Sequence, residues 1–346
     1  MKKHTRREFL GKTIVGAIGA GAVLSGLDAG ALLAEQLTAD HRSYAAARYG
    51  IMLDGIMAGW LHSAEGGHAT SDPVAQKPGP AGMQRNPGAV VRYEDITLTC
   101  GMGMSRAFYE WIKATLEKSH MRKDGAIHSC DYDGNVKSTL DFFHGLITEV
   151  GFPTLDASSK DEARMTIKIS PESTRMTKGS GKLSAGGPAN AAQKRWLPAN
   201  FRLQIPALDC SHVNRIEALT IKQKVIENRP GQPRTPELRI PTKEPPIVEV
   251  PNLVITLPEQ HAAGLLAWQK ESAGRSGHDA KNQKSGQLEY LSHDLREPLF
   301  TLNFHGLGIF KVTPDKTEAR NENIRRVKAE MYCEEIRFSY GAGAWA

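Results

Sequence analysis

At 346 residues the chain exceeds one small domain, and 40% hydrophobic with 24% charged residues is the composition of a folding chain, not a disordered one. Half of the formal charge of +6 sits in residues 1–31, where Lys2, Lys3, Arg6, Arg7 and Lys12 face only Glu8 and Asp28. What remains is too small a balance to form a nucleic-acid footprint, so no specific nucleic-acid partner is expected. Cys100, Cys130, Cys210 and Cys333 form no CxxC pair, and that scatter argues against a zinc or iron–sulfur site. His128, Cys130 and Asp131 are the nearest approach to a cluster and read as ordinary strand surface.

The chain opens with Thr5-Arg6-Arg7-Glu8-Phe9-Leu10-Gly11-Lys12, followed by a Gly/Ala-rich apolar run from Thr13 to Leu27. A charged head before a short apolar middle is a secretory signal, and Arg6, Arg7, Phe9 and Leu10 resemble the twin-arginine type. The run is shorter than the ~20 residues a spanning helix needs, so membrane contact is expected only in transit. Ala29 and Ala31 supply the small-residue cleavage pattern, which places the signal at 1–31.

Beyond the signal, landmarks recur in order. Tyr49–Leu53 with Glu65 aligns with Phe201–Ile205 and Glu217, and Ile96-Thr97-Leu98 with Ile255-Thr256-Leu257. Trp111 then aligns with Trp268, and Phe143-His144-Gly145 with Phe304-His305-Gly306. Two copies, 42–178 and 198–346, are expected around a Gly/Ser-rich flexible linker, 179–197.

Each copy opens with a strand, followed by a long connection (Gly66 to Pro87, Arg229 to Pro246) and a second strand. A helix comes next. Phe108, Trp111, Ile112 and Thr115 share one helical face behind a Ser105 cap, and Pro258 suits the first turn of the second helix. Strands Ala126–Tyr132 and Val136–Phe143 flank Asp133-Gly134, a tight-turn pair whose second-copy counterpart, at Asp294, lacks the glycine. Met165–Ile169 and Tyr332–Tyr340 close the two copies. The expected class is mainly β (α+β): two tandem β-barrel or sandwich domains, each with one helix, after a signal helix.

Phe108–Lys113, Arg122–Gly125, Tyr132–Gly134 and Leu155–Ser159 together resemble the contractile-phage tail-tube protein family. The resemblance implies a β-barrel-like subunit with one helix, closing into six-membered rings that stack as a tube. It also implies a non-enzymatic structural protein with no catalytic residue, metal or cofactor. A two-copy chain would then form a homo-oligomer, three chains making a pseudo-hexameric ring, with other tail-like or envelope proteins as possible partners. Joined to the signal, this predicts a protein exported folded, to a periplasmic or extracellular assembly. The alternatives are an exported cofactor-binding enzyme and a monomeric ligand-binding module.

Individual side chains are weighed on the same footing. His144 and His305 recur, which points to a need of the fold rather than to chemistry. Trp111 and Trp268 lie on an apolar stripe and read as core rather than ligand-stacking residues. Glu334 and Glu335 point to opposite faces of a strand, and Gly101–Met104 lacks the completion of a phosphate loop. Gly274 to Gly286 reads as a solvated insertion.

Overall fold

The structure, a computed structural model, describes residues 48–71, 91–119, 121–183, 196–227, 243–273, 282–314 and 324–341. The expected export signal (Arg6, Arg7, Phe9, Leu10) and cleavage residues (Ala29, Ala31) lie outside the described residues, as do most of the linker and of the insertion 274–286. Among the described residues no helix is long and apolar enough to cross a membrane.

The first barrel is built from β1 (Arg48–Leu53), β2 (Ile56–Gly66), β5 (Ile96–Cys100), β6 (Lys123–Cys130), β7 (Val136–Phe152) and β9 (Met165–Ser170). Alternation dictates its interior: Ile96, Leu98 and Cys100 of β5, and Met165, Ile167 and Ile169 of β9, point inward and are buried. Successive antiparallel pairings run β7-β6-β1-β2-β5-β9 and return to β7, so the ring closes and its members keep few free edges. β3 (Ala69–Ser71) and β4 (Val91–Tyr93) pair with each other beside it. β8 is the short pair Leu155–Asp156, and β10 (Ser173–Lys178) continues β9 along the same edge of β7. Helix α1 (Arg106–Leu116) begins at Ser105, whose side chain accepts from the Phe108 N–H, and buries Phe108, Trp111, Ile112 and Thr115.

The second barrel follows the same strand order with β11 (Phe201–Gln204), β12 (Arg215–Ile216), β15 (Leu253–Pro258), β16 (Lys284–Leu291), β17 (Pro298–Pro314), β18 (Arg326–Tyr332) and β19 (Glu335–Tyr340), but its pairings run open from β11 through β16, β17, β18 and β15 to β12, which takes β8 on its other edge. Its helix α2 (Ala263–Ala273) buries Leu265 and Trp268. The remaining strands, β13 (Leu219–Glu227) and β14 (Lys243–Glu249), leave this barrel and join the first. β13 pairs with the last four residues of β7, from Leu219 opposite Phe152 to Lys222 opposite Glu149. Residues 45–346 accordingly form one compact unit.

Several elements differ from the sequence reading. β7 runs on past Phe143 to Phe152, because both of its edges are paired along its length. Pro258 ends β15 instead of opening a helix; a 3-10 turn at Glu259–His261 intervenes before α2. The closing strand of the second copy is two strands, β18 and β19, broken at Cys333 and Glu334. Gly134 takes φ 83° in the Asp133-Gly134 turn, while Leu295 takes φ 60° in the corresponding second-barrel turn. The expected linker is core at its far end: Trp196 is fully buried, with its ring 5.3 Å from Tyr290 and 5.4 Å from Phe300.

Candidate functional site

The two tryptophans hold equivalent places. Trp111 Nε1 donates to the Met121 carbonyl at 2.8 Å, and Trp268 Nε1 donates to the Asn282 carbonyl at 2.9 Å. Each indole thus ties its helix to the chain leading into the next strand, and Trp111 also stacks on Phe142, with centroids 6.5 Å apart. Both are buried, which leaves no ring face for a ligand.

The recurring Phe-His-Gly triplets are not in structural register. Phe142 faces Gly125 as Phe304 faces Gly286, so Phe143 corresponds to His305, His144 to Gly306 and Gly145 to Leu307. The shared requirement is a left-handed residue at one bulge, met by His144 at φ 49° and Gly306 at φ 66°. The His144 N–H donates to Asp124 at 2.7 Å, and its exposed ring lies 3.6 Å from Glu172; the His305 carbonyl accepts from the Glu334 N–H at 3.1 Å. The histidines sit at different points of the bulge and make no common site.

The remaining titratable candidates are structural. Burial pushes the Cys100 thiol up to about 12 and Cys333 up to about 11, and raises Cys130 and Cys210, so all four stay protonated and poorly nucleophilic. His128 is lowered by burial, and its Nδ1 is 2.9 Å from the Thr139 hydroxyl. Asp131 accepts from the Asn135 side-chain amide at 3.0 Å and the Asn135 N–H at 2.9 Å and pairs with Lys137, contacts that hold its pKa well below the carboxylate range; it also accepts from the Asp133 N–H at 3.0 Å, which braces the Asp133-Gly134 turn. Glu335 pairs with Arg337, while Glu334 accepts from Gln283. In Gly101–Met104 both methionines are buried and the Met102 carbonyl accepts from Tyr109 Oη at 2.6 Å, so the segment packs and presents no cradle.

The fold also assembles a group that the sequence does not show as one. Asp209, His212 and His261 bring ligand atoms within 4.8 Å of one another. The two imidazoles stack at 3.5 Å, and Asp209 is kept ionised by hydrogen bonds from the Ser211 hydroxyl and N–H. Two imidazoles and a carboxylate are donors for a borderline transition cation. His261 lies 49 positions beyond His212, so no local motif marks the group.

The barrels meet at a junction built from both of them. Phe152, at the end of β7, lies among second-barrel rings, 5.6 Å from Phe300, 5.9 Å from Tyr290 and 6.2 Å from Phe338. Tyr109, on the outer side of α1, stacks on Phe338 and Tyr340 of β19 at 6.3 and 5.7 Å. At the edge Lys222 of β13 lies 3.9 Å from Glu149 of β7. An apolar centre with a strand added to a free edge is the anatomy of a protein–protein interface, here within one chain.

Residues 45–175 match the family model of the T4-like virus tail tube protein gp19. Among solved structures, a chain of the PVC extracellular contractile injection system sheath–tube complex in its extended state is 20% identical, over 41% of this chain and 97% of that one, with a TM-score of 0.36. Hcp1 from Flavobacterium johnsoniae is 18% identical over 39% and 99%, at 0.28, and a chain of the anti-feeding prophage baseplate is 14% identical over 40% and 91%, at 0.32. None of the curated proteins matches the chain.

Proposed function

We propose, from the tail-tube family match of residues 45–175 and the second barrel built on the same plan, that this protein is a non-enzymatic building block that self-associates into rings or a tube. The observation that carries the reading is the β7–β13 junction, at which one barrel adds a strand to the other's edge. A junction of that kind is heterologous, and repeated between molecules it makes rings where the rotation closes and filaments where it does not. Two barrels per chain lead to three chains per pseudo-hexameric ring.

Export completes the proposal. The Arg6-Arg7 signal supports folded passage through the twin-arginine route to a periplasmic or extracellular site, and the four free cysteines, three of them buried, support folding in a reducing compartment beforehand. Mass photometry and negative-stain microscopy of the mature protein test the assembly: rings or filaments are expected, and a strict monomer at micromolar concentration refutes it. The cofactor-binding alternative has one observation in its favour, the Asp209, His212 and His261 group. Stoichiometric transition metal in the purified protein, with loss of an activity on His212→Ala, would move the assignment there.

A further inference from the structure

Matching ladders fix which residues correspond between the barrels. Ile51 faces Ile127 as Leu203 faces Leu288, Leu98 faces Ile167 as Ile255 faces Ala329, and Ile147 faces Ile169 as Ile309 faces Met331. The helices α1 and α2 correspond end to end. Each residue of the internal junction therefore has a counterpart elsewhere on the molecule.

Those counterparts are open. Tyr109 of α1 is fully buried, but its counterpart on α2, Leu266, is 48% exposed. Phe338 of β19 is buried, and its counterpart on β10, Met176, is 56% exposed. Val150 and Phe152 are buried, whereas their counterparts Val312 and Pro314 are half-buried and exposed. Among the described residues no strand pairs with the Lys311–Pro314 edge of β17 on the side where β13 pairs with β7.

Two cavities mark the same two places. One, of about 460 Å³, lies between α2 and β17 and is lined by Leu266, Ile309 and Phe310. The other, of about 140 Å³, is lined by Ser129, Ser138, Leu140 and Met176; three of these, Ser129, Ser138 and Met176, are the counterparts of Tyr290, Phe300 and Phe338, against which Phe152 packs. The chain thus presents each half of its own junction, unfilled, on a different barrel.

We propose that these halves join between molecules in the register of the internal junction, the partner being a second copy of this chain. Leu266 of one chain covers Met176 of the next, and Pro314 enters the seat beside Ser129 and Ser138. The β17 edge accepts residues 67–70 of the neighbour, with Lys311 opposite Thr70, Val312 opposite Ala69, Thr313 opposite His68 and Pro314 opposite Gly67. β3 and β4 then stand to the neighbour's β17 as β13 and β14 stand to β7. This rests on the ring reading and deepens it by naming the contact faces and their register.

The test mixes full-length mature chains carrying either His68→Cys or Thr313→Cys, oxidises them, and identifies disulfides by peptide mass spectrometry beside mass photometry of the untreated protein. Directly opposed positions have Cβ atoms ~5 Å apart, within reach of a disulfide after small adjustment. A trimer with the mixed 68–313 disulfide, and none when Phe310→Cys replaces Thr313→Cys, is expected. A trimer without that cross-link overturns the register while leaving the ring reading standing; a monomer overturns both. Leu266→Asp and Met176→Asp alter side chains exposed in the single chain, so circular dichroism should be unchanged while assembly weakens at least ~10-fold, as one buried charge without a partner requires. Undiminished assembly in both would also overturn the inference.

Discussion

Replacing Phe152 with alanine removes the ring that binds one barrel into the other. Phe152 is 1% exposed and lies within 6.2 Å of three second-barrel ring centroids. A buried phenylalanine covers ~150–250 Å² of apolar surface, which at about 25 cal/mol per Å² is about 4–6 kcal/mol, and Phe→Ala in cores costs about 3–5 kcal/mol with the cavity included. We expect a loss of about 4 kcal/mol by urea unfolding followed through tryptophan fluorescence, with Trp196 reporting from beside the same cluster. Because residues 45–346 form one unit, a single transition should move for both barrels. Phe310→Ala, at a 47% exposed site, should cost under about 1 kcal/mol in the monomer. A Phe152→Ala loss below about 1 kcal/mol, or two transitions of which only one moves, would refute a shared core.

Two further outcomes follow from local contacts. Trp111→Phe and Trp268→Phe each remove one indole donor from a backbone carbonyl, at Met121 and Asn282. Each should cost about 1–2 kcal/mol, and the two losses should be similar because the contacts correspond; thermal unfolding of the single variants checks this. Asp131 is depressed in the folded state, first by its hydrogen bonds with Asn135. Its contribution is therefore present above the ordinary carboxylate pKa of about 4 and is lost as pH falls below that value. Stability of the wild type relative to Asp131→Asn, measured from pH 7 to pH 2.5, should be constant down to about pH 4.5 and then converge.

Local features were legible where physics is local. Ser105 caps α1 because a hydroxyl there meets an otherwise orphaned N–H, and the alternation of Met165–Ile169 gives β9 its inward face. Asp133-Gly134 makes its turn because glycine accepts positive φ. Two barrels with one helix each were legible in the sequence, while two of the landmarks that pointed to them lie out of structural register: Ile96-Thr97-Leu98 corresponds to Leu253-Val254-Ile255, and Phe143 to His305. Sequence identity aligns like residues, while bulges and loop lengths set which residues face each other.

The chain by itself determined the class of fold, the helix faces, the turns and the resemblance of its first copy, because each depends on periodicity, capping or turn chemistry within a few residues. Tertiary structure alone decided that β13 leaves its own barrel for β7, that Trp196 of the expected linker is core, and that Asp209, His212 and His261 meet. These depend on which edge is left unpaired and which distant loops converge once both barrels form. An unpaired strand edge beside an apolar face is a property of the folded surface, and no short stretch of residues encodes it.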